Sequence, residues 1–132
     1  MEKFAYPTVE NIVENNVLAV NLIRAKKADR AEVLSRGRLE KIVVECQVVQ
    51  GDAFEKVAFL LKALVRAHAF ASGNRRTAFI TAKEFLLQNG EKLKISDDPR
   101  FAKVMTGIRE GSYSDDEIRE WLEHGKIREF RR

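Results

Sequence analysis

The sequence predicts an all-α fold, and three observations carry that prediction. Apolar residues recur at helical spacing over almost the whole chain. Only 7 Gly and 2 Pro occur among 132 residues, too few to turn the many short strands of an all-β domain. Capping residues and Gly or Asn-Gly stops fall at the ends of the periodic segments. The length fits a single domain over residues 1–132 with one modest core. The expected architecture is a compact bundle of six to eight helices around a central buried helix.

Each element follows from a local signal. Pro7-Thr8 opens the first helix with Thr8 as N-cap, and Val9, Ile12, Val13, Val17, Val20 and Ile23 form its inner face, to about Lys27. Asp29 caps a short second helix, Arg30 to about Ser35, which Gly37 ends or bends. Arg38 to Val49 is a third segment, in which the β-branched run Ile42-Val-Val-Glu-Cys-Gln-Val-Val49 lets helix and short strand compete. Gln50-Gly51-Asp52 breaks it. The fourth helix, Asp52 to Ala69, is apolar nearly all round and is therefore the central one. Ala71-Ser72-Gly73 interrupts the chain, and a fifth helix runs from Asn74 to Gln88, stopped by Asn89-Gly90. Residues 91–95 are extended or loop. Asp97-Asp98-Pro99 opens a sixth helix to about Arg109. Ser114 and Glu117 form a capping box for a seventh, Asp115 to His124, with Trp121 on its inner face.

Composition narrows the function classes. Hydrophobic residues make up 45% and charged residues 33%, which excludes a disordered chain. Cys46 is the single cysteine, so no internal disulfide and no multi-cysteine metal cluster can form. No apolar run approaches the ~18 residues of a membrane span, and the N-terminus has no apolar signal core; a cytosolic protein is expected. The charge of +4 and the pI near 9.3 favour anionic partners without choosing among nucleotide, nucleic acid and acidic protein.

The stretch Ala67 to Phe79 carries the chemistry. His68 follows Leu64 by four residues, which places it at the end of the central helix on the side of the core. A short turn then leads into a helix start at Asn74. Helix starts offer backbone N–H groups without intrahelical acceptors and a partial positive charge. Gly73 permits close approach of a ligand to the backbone, and Arg75 and Arg76 add two guanidinium forks. The assembly fits a phosphate site beside a histidine able to act as general base toward a hydroxyl. The loop 70–73 is expected to lie exposed in a cleft.

The pattern His68-x-Phe70-x-x-Gly73-Asn74-x-Arg76-Thr77-Ala78 resembles the core motif of the Fic/Doc (Fido) family, closest to its death-on-curing (Doc) branch. Phe85-Leu-Leu-Gln-Asn-Gly90 stands where Doc-type chains end the next helix. The resemblance extends over nearly the whole chain, strongly at 67–90 and weakly before 50. It implies a Fido-type helical bundle and these roles: His68 as general base, Phe70 as a core residue under the loop, and Gly73 and Asn74 as an anion hole of backbone and side-chain donors. Arg76 binds phosphate. Arg75 stands where Doc has lysine. Phe79 stands where Fic proteins carry a second arginine that orients the nucleotide for AMP transfer; its absence favours Doc-type transfer of the γ-phosphoryl group from ATP or another nucleotide to a protein Ser, Thr or Tyr hydroxyl.

One departure stands out. Ser72 occupies the position of the acidic Mg²⁺ ligand, and a neutral hydroxyl is a far weaker ligand for that ion. Asp52 and Glu55 are candidate substitutes from elsewhere in the chain. The inhibitory helix Ser/Thr-x-x-x-Glu-Gly/Asn of some Fic proteins is absent, and the Doc resemblance implies instead a separate antitoxin whose tail folds into a groove, to which valines of the first helix and of 42–49 could contribute. Three readings remain open: a Doc-like toxin-type transferase, a non-catalytic Fido-fold module binding a nucleotide or a protein, and a small basic helical nucleic-acid binder. The last comes third, since no polar recognition helix is apparent.

Overall fold

The computed structural model describes residues 3–23, 29–96 and 99–129. Six α-helices carry these residues: α1 (Val9–Ile23), α2 (Arg36–Val48), α3 (Ala53–Ala67), α4 (Asn74–Gln88), α5 (Pro99–Arg109) and α6 (Asp115–His124). The expected all-α bundle is present, and α3 is its centre, packed against α2, α4, α5 and α6. Phe54, Val57, Ala58, Leu60, Leu61, Leu64 and Val65 are all buried, so α3 hides most of its circumference. Asp52 starts it by accepting from the N–H groups of Phe54 and Glu55. Against it α4 lays Ala78, Phe79, Ala82, Phe85 and Leu86. At the other end of the core, Phe101 of α5 sits edge-on to Phe79 at 4.5 Å and stacks on Trp121 of α6 at 5.8 Å. The Ser114–Glu117 capping box of α6 is formed in both directions.

This packing gives a direct stability expectation. Leu60 is fully buried in the centre of α3, so Leu60→Ala should cost about 2–5 kcal/mol through lost burial and the cavity left behind. Urea denaturation followed by circular dichroism measures it. A loss under about 1 kcal/mol would mean that α3 is not the centre of the core.

Several sequence expectations are corrected. The short helix expected at 30–35 does not form. Residues 29–35 form no helix, and Val33 makes an isolated antiparallel bridge to Phe70. Leu34 and Ser35 both donate to the Ala69 carbonyl (2.7 and 3.2 Å), and Ala71 donates to Glu32 (3.0 Å). Six residues make too few intrahelical bonds to repay helix nucleation, and the loop before α4 supplies backbone partners instead. Gly37 lies inside the first turn of α2, which Ser35 caps, and 42–48 is helical rather than strand. In α1 the buried face is rotated: Val9, Ile12, Asn15, Asn16, Ala19 and Val20 are buried, while Val17 and Leu18 are about half exposed. The continuation of this helix to Lys27 and the Asp97-Asp98 opening fall outside the described residues. Among the described residues, no helix is long and apolar enough to cross a membrane.

Candidate active site

Helix α3 ends at Ala67, and His68 turns the chain in the left-handed region at φ 49°, ψ 48°. Glycine or asparagine commonly fills such a position, and a residue with a Cβ carries a steric cost there. The twist rotates the His68 side chain away from the core, and the residue is exposed rather than core-facing as expected. Around it the end of α3 is tied down: the Arg38 guanidinium donates to the Ala67 carbonyl at 2.7 Å, and the Ala69 carbonyl takes the two bonds from Leu34 and Ser35. Ala69 and Phe70 are buried, with Phe70 only 2% exposed under the loop. The loop therefore hangs from an apolar anchor, and His68 projects from its rim.

The residues that follow lead straight into α4. Ala71, Ser72, Gly73 and Asn74 are half-buried, so the loop is less open than expected, and pockets of about 420 and 390 Å³ lie elsewhere, around Trp121 and around Phe59. Gly73 is the N-cap of α4 at φ 76°. A Cβ there would come within 3.2 Å of Val20 on α1, in addition to the strained φ, so both conformation and space call for glycine. The Asn74 side chain does not point outward. Its Oδ1 accepts from the Phe70 N–H (3.1 Å) and its Nδ2 donates to the Phe70 carbonyl (2.8 Å), closing the loop on itself. One of the two Nδ2 hydrogens is used there, so the backbone N–H and the second Nδ2 hydrogen are the donors this residue has left. Arg76 is half-buried on the first turn of α4. The exposed Arg75 guanidinium lies along α5, 3.4 Å from the Ala102 carbonyl and 3.3 Å from Thr106 Oγ1. His68, Gly73, Asn74 and Arg76 thus lie along one loop and helix start, while the Arg75 guanidinium is drawn to α5.

The carboxylates suggested as replacement metal ligands are not at this loop. Asp52 and Glu55 stand at the N-terminal end of α3, and His68 at the other end of its 15 residues, about 22 Å along the axis. Asp52 is also committed to the cap of α3 and to Arg119 at 2.6 Å. Partial burial pushes its carboxyl up, but the Glu55 N–H and the Arg119 guanidinium outweigh this and hold it below the usual carboxylate range. Among the described residues no group of three or more His, Cys, Asp and Glu side chains gathers in a way that could hold a metal ion. The residues present around Ser72 therefore do not fit a tightly held Mg²⁺. Cys46 is no nucleophile either, since burial pushes its thiol up to about 11.

Two residues of this neighbourhood escaped the sequence reading. Arg38, at the start of α2, donates from its guanidinium to the Ala67 carbonyl, in the peptide that leads into His68. Asn16, from α1, is 1% exposed and donates from Nδ2 to the Ser72 carbonyl (2.8 Å) and to Thr77 Oγ1 (3.1 Å). A signal for Asn16 existed. Two asparagines fall on the stripe that also holds Ile12, Ala19 and Val20, and a buried amide demands hydrogen-bond partners. For Arg38 there was none, because its role depends on a chain crossing that only the fold creates.

Comparison with known proteins agrees with this geometry. The profile of the Fic/DOC family matches residues 4–86, which takes in α1 to most of α4 and the whole of the His68–Arg76 loop and helix start. Over 93 residues the chain is 33% identical to the protein named "Protein kinase doc" of Escherichia phage P1, with 70% of each chain covered. With the histidine-to-arginine motif folded as one loop between two core helices, these matches establish that the chain belongs to the Fic/DOC family.

Proposed function

We propose that this chain is a Doc-like transferase that moves the γ-phosphoryl group of a nucleoside triphosphate onto a protein hydroxyl, weakened by Ser72. The observation that carries the proposal is the exposed His68 on its left-handed turn, one short loop from the N-terminus of α4. The named relative from phage P1 is a protein kinase, and the family motif is present here apart from its acid. In this reading the nucleotide phosphates lie against the N–H groups of Gly73 to Arg76, where the backbone and the helix dipole favour negative charge. The Arg76 guanidinium adds a fixed cation. The imidazole of His68 takes the proton of the target hydroxyl, whose oxygen bonds to the γ phosphorus. The bond from that phosphorus to the β–γ bridging oxygen breaks, and the nucleoside diphosphate leaves. Phe79 favours γ-phosphoryl over AMP transfer. It is buried against Phe101, so no cation stands at that position of α4 to hold the nucleotide in the other orientation. Mg²⁺ usually neutralises phosphate charge in such reactions; since Ser72 does not supply its carboxylate, no step is assigned to it. A separate antitoxin and a hydroxyl-bearing target protein are the partners that this reading entails.

A second reading has its own observation. Ser72 in place of the acid favours a Fido-fold module that binds a nucleotide or a protein without turnover. Nucleotide titration tests what the two readings share. Calorimetry with ATP and CTP at low salt should show binding, and Arg76→Ala should weaken it by roughly 1–3 kcal/mol, the range for hydrogen bonds to charged groups. A wild-type chain that binds neither nucleotide nor inorganic phosphate would overturn the transferase and the nucleotide-binding module alike, leaving only a protein-binding module.

A further inference from the structure

We propose that Asn16 is a positioning residue that aims the Gly73 N–H at the bound phosphate; the phosphate itself rests on the function proposed above. The Ser72 carbonyl can only accept, so the Asn16 atom 2.8 Å away must be the amide nitrogen. The Gly73 carbonyl can only accept as well, so Thr77 Oγ1, at 2.7 Å, donates to it. That hydroxyl then has its lone pairs left for Asn16 Nδ2 at 3.1 Å. Every proton in this buried chain has one direction. No buried side-chain nitrogen or oxygen of the described residues lacks a partner.

The consequence lies in the next peptide. The Ser72–Gly73 bond is trans, and in a trans peptide the C=O and the N–H point in opposite directions. Asn16 pulls the Ser72 carbonyl toward α1, so the Gly73 N–H faces away from α1. Among the described residues nothing accepts from that N–H. Glycine is free to swing about its own φ and ψ, and the loop has no side chain of its own to fix this plane, because Asn74 is spent on Phe70. The fixed direction of the Gly73 N–H therefore comes from another helix, through one amide. A preorganised donor binds charge without having to reorganise, which is what an anion site requires.

The control is built into the same interface. One residue earlier, Asn15 Nδ2 donates to Thr81 Oγ1 at 3.1 Å, and Thr81 is fully buried. Thr81→Val removes a buried hydrogen bond between α1 and α4 without touching the loop. The experiment compares wild type, Asn16→Ala and Thr81→Val by backbone ¹⁵N relaxation and by ATP titration calorimetry. In Asn16→Ala the Gly73 order parameter should fall from about 0.85 toward 0.6 or less. ATP affinity should fall about tenfold, the equivalent of one lost hydrogen bond to a charged group. Thr81→Val should keep both values. Unchanged Gly73 dynamics and affinity in Asn16→Ala would overturn the proposal, and so would equal losses in Thr81→Val, which would reveal mere loosening of the α1–α4 interface. If Asn16→Ala does not fold, Thr77→Val approaches the same chain from α4 and should loosen Gly73, whereas a rigid Gly73 there would count against it. A wild-type chain that ignores ATP would remove the phosphate site, and the order parameters would still decide whether Asn16 fixes Gly73.

Discussion

Replacing Ser72 by Asp should raise phosphoryl transfer by an order of magnitude or more. Ser72 is half-buried one residue before the N-cap of α4. A carboxylate there would lie beside the helix start that is proposed to hold the phosphates, where one or two carboxylates plus phosphates commonly bind Mg²⁺. Charge neutralisation by the ion is a large term in phosphoryl transfer. The gain should vanish when Mg²⁺ is chelated, and Ser72→Asp combined with His68→Ala should return to background, because the base and the metal act on different atoms. Incorporation of phosphate into proteins of a cell extract is the readout. A folded, nucleotide-binding Ser72→Asp chain that stays silent would favour the non-catalytic module. A wild type as active as Ser72→Asp would show that the position does not limit the reaction.

His68→Gly should separate catalysis from stability more sharply than any other single change. Losing a general base costs about 10²–10⁴-fold in rate, so transfer by the Ser72→Asp background should drop to nearly nothing. The fold should not suffer. His68 is exposed and sits at φ 49°, where a residue with a Cβ costs about 1–2 kcal/mol. Relief of that strain offsets the extra chain entropy of glycine in the unfolded state. Stability should equal that of the parent or exceed it by up to about 1 kcal/mol, read from urea denaturation. A large loss of stability would mean that the imidazole serves the end of α3 rather than chemistry. A backbone kept in a costly conformation at an exposed histidine is what a functional demand on that side chain would leave behind.

The parts of this structure that were legible in the sequence are those set by local chemistry. The starts of α3, α4 and α6 followed from Asp52, Gly73-Asn74 and the Ser114–Glu117 box, because capping residues act within four positions of themselves, whereas α3 ends at Ala67, two residues before the expected Ala69. The loop with His68, Gly73 and Arg76 was found because one uninterrupted stretch encodes it. What was missed depends on chain crossings. Asp29-Arg-Ala-Glu-Val-Leu34 has helical composition, yet its backbone pairs with Ala69 and Ala71, residues more than thirty positions away along the sequence. The apolar count of α1 pointed to Val17, whereas Asn16 is bonded to the Ser72 carbonyl and to Thr77 of α4, and Val17 faces out. The direction of His68 was misjudged for a different reason. Helical periodicity places it over Leu64 only if the helix continues, and a left-handed residue ends that periodicity at once.

The measurement that tests the account most directly is the fate of labelled ATP. Wild type and Ser72→Asp are incubated with a cell extract and ATP labelled at the γ position or at the α position, each with a matched His68→Gly sample. The account predicts that protein acquires label from the γ position only, in an amount that Ser72→Asp raises and His68→Gly abolishes. Label arriving from the α position would contradict it, since the buried Phe79 would then not prevent the AMP-transferring orientation. Label from the γ position that persists undiminished in His68→Gly would contradict it as well, by removing the histidine from the chemistry.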